Sequence, residues 1–122
     1  MLEKLKILVV DDDAIIGEML KDILVYRGYE VIVSQKPLET EQNIIENNIE
    51  LVLLDKLISG VDGTEICGLI RNNKDTKHIK ILMMSALHNA KPVCLEAGAN
   101  AFITKPFEME SLFNKVEDVL AE

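Results

Sequence analysis

Apolar positions along this chain switch back and forth between two spacings. KILVV (Lys6–Val10) is an almost unbroken apolar run of strand length, and after it Ile16, Met19, Leu20, Ile23 and Leu24 recur at helical spacing on one face. Asp13 stands where it can cap the start of that helix, and Gly28 where it can end it. YEVIVS (29–34) predicts a second strand, and Pro37 opens a modest helix through Ile44 and Ile45 that stops near Asn47 and Asn48. LVLLD (Leu51–Asp55) is a third strand, followed by a helix over 64–71 expected to bury Ile66, Leu69 and Ile70. IKILMM (79–84) predicts a fourth strand, and a short helix over 91–97 closes at Gly98. AFIT (Ala101–Thr104) is the fifth strand, and a last helix carries Met109, Leu112, Phe113, Val116, Val119 and Leu120 on one stripe.

Strands and helices therefore alternate throughout. The first, third and fourth strands lack the polar–apolar alternation of a half-exposed sheet, so both their faces are expected to be covered. That combination means α/β architecture, a parallel sheet with helices on both sides. In such sheets ligands bind beyond the carboxyl ends of the strands, where the strand order reverses. The residue just after each strand is the place to look for chemistry.

Those positions carry a consistent set. Asp11, Asp12 and Asp13 follow the first strand, Asp55 ends the third, Ser85 follows the fourth, and Lys105, Pro106 and Phe107 follow the fifth. Ser34 and Gln35, after the second, say little. Two or three carboxylates crowded at one sheet edge cannot all ionise cheaply, so either their pKa values rise or a cation joins them. All-oxygen ligands that leave room for water and a phosphate suit Mg²⁺. Lys105 adds a mobile point charge for a phosphoryl oxygen, and Ser85 adds one hydroxyl. Together they predict a phosphoryl-transfer site with Asp55 as nucleophile and Asp13 as the helix cap.

Composition narrows the alternatives. A chain of 122 residues, 48% hydrophobic and 28% charged, has the balance of one globular domain (1–122) and not of a disordered segment. The net charge of -8 argues against direct nucleic-acid binding, because such a surface repels phosphate backbones. Cys67 and Cys94 lack metal-type spacing and are expected in the core, while His78 and His88 are expected as solvated loop residues. No apolar run reaches membrane-spanning length and no charged-then-apolar leader opens the chain, so a soluble cytoplasmic protein without membrane contact is expected.

In their order and spacing, ILVVDDD, LVLLD with GVDG after it, ILMMSA and GANAFITKPF resemble the receiver domain of bacterial two-component response regulators, of the chemotaxis-receiver type. The resemblance covers the chain from about Lys4 to the last helix. It implies a flavodoxin-like three-layer sandwich with strand order 2-1-3-4-5 and five helices over the two faces. It further implies that Asp55 accepts the phosphoryl group, that Asp12 binds Mg²⁺ (or Mn²⁺) directly, and that Asp11 acts largely through water. Asp55 and the backbone carbonyl of Leu57 would complete the protein ligands. Lys105 would contact the phosphoryl group, with a cis bond to Pro106, while Ser85 and Phe102 would form the switch pair. The implied donor is a histidine kinase or histidine phosphotransfer protein. The implied readout is the surface of the fourth helix, fifth strand and fifth helix, in a monomer or a phosphorylation-linked dimer. Self-phosphorylation from small donors and slow self-dephosphorylation are the only catalysis implied. The opening MLEKLKIL reads as a natural start, which favours an N-terminal or solitary receiver.

The chain departs from that family's pattern in three places. Ile58 and Ser59 replace the usual Met-Pro pair, where a more mobile loop is expected. The segment from Ser85 to Gly98 is short and carries Pro92, which puts a standard fourth-helix surface in question. Leu57 and Leu87 are both apolar where the family controls access of water to the phosphoryl group, so slow hydrolysis is expected. Two other classes compete. ILVVDDDAI also resembles the start of haloacid-dehalogenase-type phosphatases, with Asp11 as nucleophile and Asp13 as acid, although Asp55 then precedes Ser85 and Lys105 in the wrong order. The other is a pseudo-receiver, an interaction module that is never phosphorylated.

Overall fold

The computed structural model describes residues 4–122. Met1, Leu2 and Glu3, the first residues of the opening discussed above, lie outside the described residues. Strand β1 (Lys6–Val10) leads into helix α1 (Ala14–Tyr26), β2 (Glu30–Ser34), a 3-10 turn (Pro37–Glu39) and α2 (Thr40–Asn47). Then come β3 (Leu51–Asp55), two short strands β4 (Leu57–Ile58) and β5 (Val61–Asp62), and α3 (Gly63–Asn72). Strand β6 (Lys80–Ser85), a 3-10 turn (His88–Ala90), α4 (Lys91–Glu96), β7 (Ala101–Thr104) and α5 (Met109–Leu120) complete the chain. No helix among the described residues is long and apolar enough to cross a membrane.

The main sheet is parallel with order β2-β1-β3-β6-β7, which is the expected 2-1-3-4-5 once the β4–β5 hairpin is counted separately. Its two faces divide the core by the period of two in each strand. Leu8, Val10, Val52, Leu54, Ile81, Met83 and Phe102 pack toward α2, α3 and α4, through Ile44, Ile66, Cys67, Ile70 and Cys94. Ile7, Val9, Leu51, Leu53, Leu82, Met84 and Ile103 pack toward α1 and α5, through Leu20, Leu24, Leu112, Phe113, Val116 and Val119. Strand order reverses beside β1, so the carboxyl ends of β1 and β3 flank the crevice.

Several local expectations are corrected. Leu69, Met19 and Met109 are exposed, at the margins of their helical stripes, because the two-layer packing on each face covers a narrower arc than the apolar pattern spans. Pro37 starts a 3-10 turn, and the helix proper begins at Thr40 and ends on Asn48 in the left-handed region. Pro92 falls in the first turn of α4, where its missing N–H has no helical partner to lose. Both cysteines are buried and free, and burial pushes the Cys67 thiol up to about 11, so neither is a reactive thiolate. His78 and His88 are exposed.

Arg71 ties the far end of this fold together. Its guanidinium donates to the carbonyls of Gly98, Lys77 and Ile79 and to the side chain of Asn100, whose oxygen also accepts from the Ile81 N–H. One side chain thus joins α3 to the start of β6 and to the turn after α4. The partners lie up to 29 positions away in sequence, so no local pattern announces the network.

Candidate functional site

The acidic residues reach one place because strands end there. Asp11 follows β1, its main-chain N–H donating to the Ser34 carbonyl at 3.1 Å, and its side chain is only 2% exposed. Its Oδ1 accepts from the Asp13 N–H at 2.9 Å, while its buried Oδ2 has no hydrogen-bond partner among the described residues. Burial pushes the Asp11 carboxyl above its ordinary value, against the lowering effects of the Asp13 N–H and the Lys105 charge. Asp55 is the last residue of β3, and its Oδ2 accepts from Lys105 Nζ at 2.5 Å. The same ammonium lies 3.8 Å from Asp11 Oδ2. Lys105 follows β7 directly, and its peptide bond to Pro106 is cis. The structure therefore places one lysine between two buried or half-buried carboxylates from β1 and β3.

Asp13 is occupied elsewhere. Its Oδ1 accepts from the N–H groups of Ile15 and Ile16, which makes it the N-cap of α1. Ser85 ends β6 and is buried, and its Oγ accepts from the Leu87 N–H at 3.0 Å, which leaves the hydroxyl proton free to donate. The Lys105 N–H donates to the Ser85 carbonyl, so the hydroxyl and the ammonium share an edge of the sheet. Phe102 is buried on the α4 side of the sheet, paired with Met83.

The β4–β5 hairpin is the part that the strand pattern did not reveal. Ser59 and Gly60 form a two-residue turn with φ of 50° and 80°, the positive pair that a tight hairpin turn needs. Ile58 is fully buried beneath it, so the segment is a hairpin seated on the core. The Ser59 N–H donates to Asp12 Oδ2 at 2.8 Å, with its hydroxyl 3.4 Å from the same oxygen. Asp62 ends the hairpin and caps α3 through the Thr64 N–H, its carboxyl held below the ordinary range first by that bond and then by the Thr64 hydroxyl and Lys56. A Ser-Gly pair between Leu57-Ile58 and Val61-Asp62 was the available signal for the hairpin. Gly63 begins α3 so close to β3 that an added Cβ would collide with the Asp55 carbonyl oxygen.

A divalent cation fits this arrangement. The unpartnered, buried Asp11 Oδ2, the exposed Asp12 carboxylate and Asp55 at the end of β3 are all hard oxygen donors. Among the described residues no three carboxylate, imidazole or thiol groups could hold an ion by themselves. The Leu57 carbonyl, expected from the family resemblance as a ligand, would be a further oxygen donor here. Gly63 N–H donates to the Lys56 carbonyl, which makes 56 and 63 a hydrogen-bonded pair and the adjacent Leu57–Asp62 pair a non-bonded one. The Leu57 carbonyl is thereby left out of the hairpin ladder.

Comparison with known proteins gives the family. The response regulator receiver domain family matches residues 7–117. The chain belongs to that family. It is 33% identical to response regulator MprA of a Mycobacterium species over 94% of its own length and 50% of that protein, so it spans about half of this curated relative. A putative response regulator from Chloroflexus aurantiacus superposes with a TM-score of 0.92 at 36% identity, covering 98% of this chain and all of that one. The receiver domain of sensor histidine kinase PA1611 from Pseudomonas aeruginosa, solved with magnesium in its active-site cleft, has a TM-score of 0.87 at 21% identity. It covers 98% of this chain and 100% of its own, and speaks for the fold alone. The chain is thus a receiver of two-component signalling, a switch and not a conventional enzyme. The phosphatase reading is not favoured, since its nucleophile Asp11 is buried and its acid Asp13 is a cap. Neither is the pseudo-receiver favoured.

Proposed function

We propose that Asp55 accepts a phosphoryl group from the phosphohistidine of a histidine kinase or phosphotransfer protein. The observation that carries this reading is Lys105, held by Asp55 at 2.5 Å and poised toward the unpartnered Asp11 oxygen. In the transfer a carboxylate oxygen of Asp55 forms a bond to phosphorus as the phosphorus–nitrogen bond breaks, and the imidazole leaves and takes up a proton. The Lys105 ammonium then passes from the carboxylate to a phosphoryl oxygen, and the free proton of the Ser85 hydroxyl donates to another. Asp12, Asp55 and the Leu57 carbonyl would hold Mg²⁺ (or Mn²⁺), with Asp11 acting through water. The ion would offset the charge of the incoming phosphoryl oxygens.

The whole chain, 1–122, acts in this reading as a single receiver unit in the cytoplasm, with no membrane or direct nucleic-acid contact. Movement of the Ser85 hydroxyl and of Phe102, which lies beside Met83 at the next strand, would alter the α4–β7–α5 surface read by an output partner, as a monomer or a phosphorylation-linked dimer. Small acyl phosphates are expected to serve as donors, and slow self-dephosphorylation to reset the switch. The test is intact mass after incubation with acetyl phosphate and Mg²⁺. The parent chain gains one phosphoryl group, whereas Asp55→Asn and an EDTA-treated sample gain none. A mass gain that survives Asp55→Asn would contradict the reading.

A further inference from the structure

We propose that Ser59 is the positioning residue for the metal ligand Asp12, acting through its main-chain N–H. The inference rests on the metal-binding reading above and adds a residue to it. Asp12 is exposed, and among the described residues its carboxylate has hydrogen-bond partners only in Ser59. An exposed aspartate without a partner samples several rotamers, so a cation that binds it must first order it. A charge-assisted bond of 2.8 Å from a main-chain donor does that ordering in advance. It occupies Oδ2 and leaves Oδ1 uncommitted.

The donor exists because of the local sequence. Ser59 adopts φ of 50°, a conformation proline cannot reach, and proline has no N–H to give. The tip is also well seated. Ile58 is fully buried beneath it, and Asp62 at its far end is fixed to Thr64 and Lys56. The same hairpin carries the Leu57 carbonyl that is free of its ladder. One rigid element therefore presents a ligand carbonyl and aims a ligand carboxylate, so ion binding and hairpin position are linked.

The decisive comparison removes that N–H, the Ile58 carbonyl staying in place as a weaker acceptor. The full chain carrying lactic acid at position 59, which turns the Ile58–Ser59 amide into an ester, is compared with Ser59→Ala, which keeps the N–H. Calorimetric Mg²⁺ titration reads the affinity. The ester is expected to bind Mg²⁺ about tenfold more weakly than Ser59→Ala, the loss typical of an outer-shell partner of a metal ligand. Equal affinity of the ester and Ser59→Ala would overturn the inference while leaving the receiver reading intact. Absence of Mg²⁺ binding by the parent would overturn both. A second readout needs no synthesis. The Ser59 amide proton, displaced downfield by the carboxylate, should move upfield in Asp12→Ala and shift in the parent as Mg²⁺ is added. An amide indifferent to both would also overturn it.

Discussion

Asp11, Asp55 and Lys105 stand at or just beyond the ends of three strands with their charges packed together, whereas Asp12, Leu57, Ser59 and Leu87 sit on turns or the short β4–β5 hairpin and face solvent. The first group is positioned by the core. Its exposures are 2%, 14% and 24% for the side chains of Asp11, Asp55 and Lys105. Leu57 and Leu87, by contrast, are 66% and 60% exposed. In the function proposed above, the difference separates two tasks. A nucleophile that must meet phosphorus at one angle is best carried by a strand buried on both faces, where its backbone cannot drift. Cation entry, partner docking and water access need a side that opens, and the turns supply it.

Perturbing the buried side should have the larger effects. Lys105→Ala removes the ammonium shared by Asp55 and Asp11, and phosphorylation by acetyl phosphate should slow by about 100-fold, the cost of losing one preorganised donor. Stopped quench with intact mass checks it. Gly63→Ala pushes a methyl group into the Asp55 carbonyl and the Lys56 backbone, neither of which can give way cheaply. Urea unfolding should show a loss of about 2 kcal/mol, as for overpacked sites. A neutral result would mean that α3 approaches β3 less closely than the structure shows.

At the hinge between the two sides, Asp62→Ala deletes the cap of α3 and should cost about 1 kcal/mol at neutral pH. The sign with pH follows from the lowered carboxyl of Asp62, held down first by the Thr64 N–H. Its folded pKa lies below its ordinary 3.8, so the stabilisation is present above 3.8 and fades as pH falls through the folded value. The gap between parent and Asp62→Ala should therefore close in acid. On the open side the effects are smallest. Leu87→Glu should speed loss of the phosphoryl group by a few-fold, on the order of 1 kcal/mol or less, by drawing water toward it. The exposure of both leucines means that any shielding arises only as they fold over a bound phosphoryl group, and an unchanged lifetime would remove that role.

This same division explains what the sequence made legible. Strands β1, β3 and β6 declare themselves because burial on both faces demands unbroken apolar runs, and the residues that end them are then placed by topology. Asp11, Asp55, Ser85 and Lys105 could be expected at one edge for that reason alone. The turn-built side leaves weaker traces. Ser59-Gly60 is a modest turn signal, and its bond to Asp12 spans 47 positions that no local pattern connects. The exposure of Leu69 was misjudged because the helical stripe is broader than the surface that covers it. Arg71 and Asn100 looked like ordinary polar residues until the fold brought three carbonyls to one guanidinium.

Which carboxylate carries the phosphoryl group decides how this receiver works. Borohydride reduction of the phosphorylated chain converts an acyl phosphate of aspartate to homoserine, and peptide mass spectrometry locates it. The structure predicts homoserine at position 55 alone, dependent on Mg²⁺ during phosphorylation. Homoserine at position 11 would contradict it, since a nucleophile there would have to work from a buried carboxylate whose free oxygen has no donor within hydrogen-bonding reach.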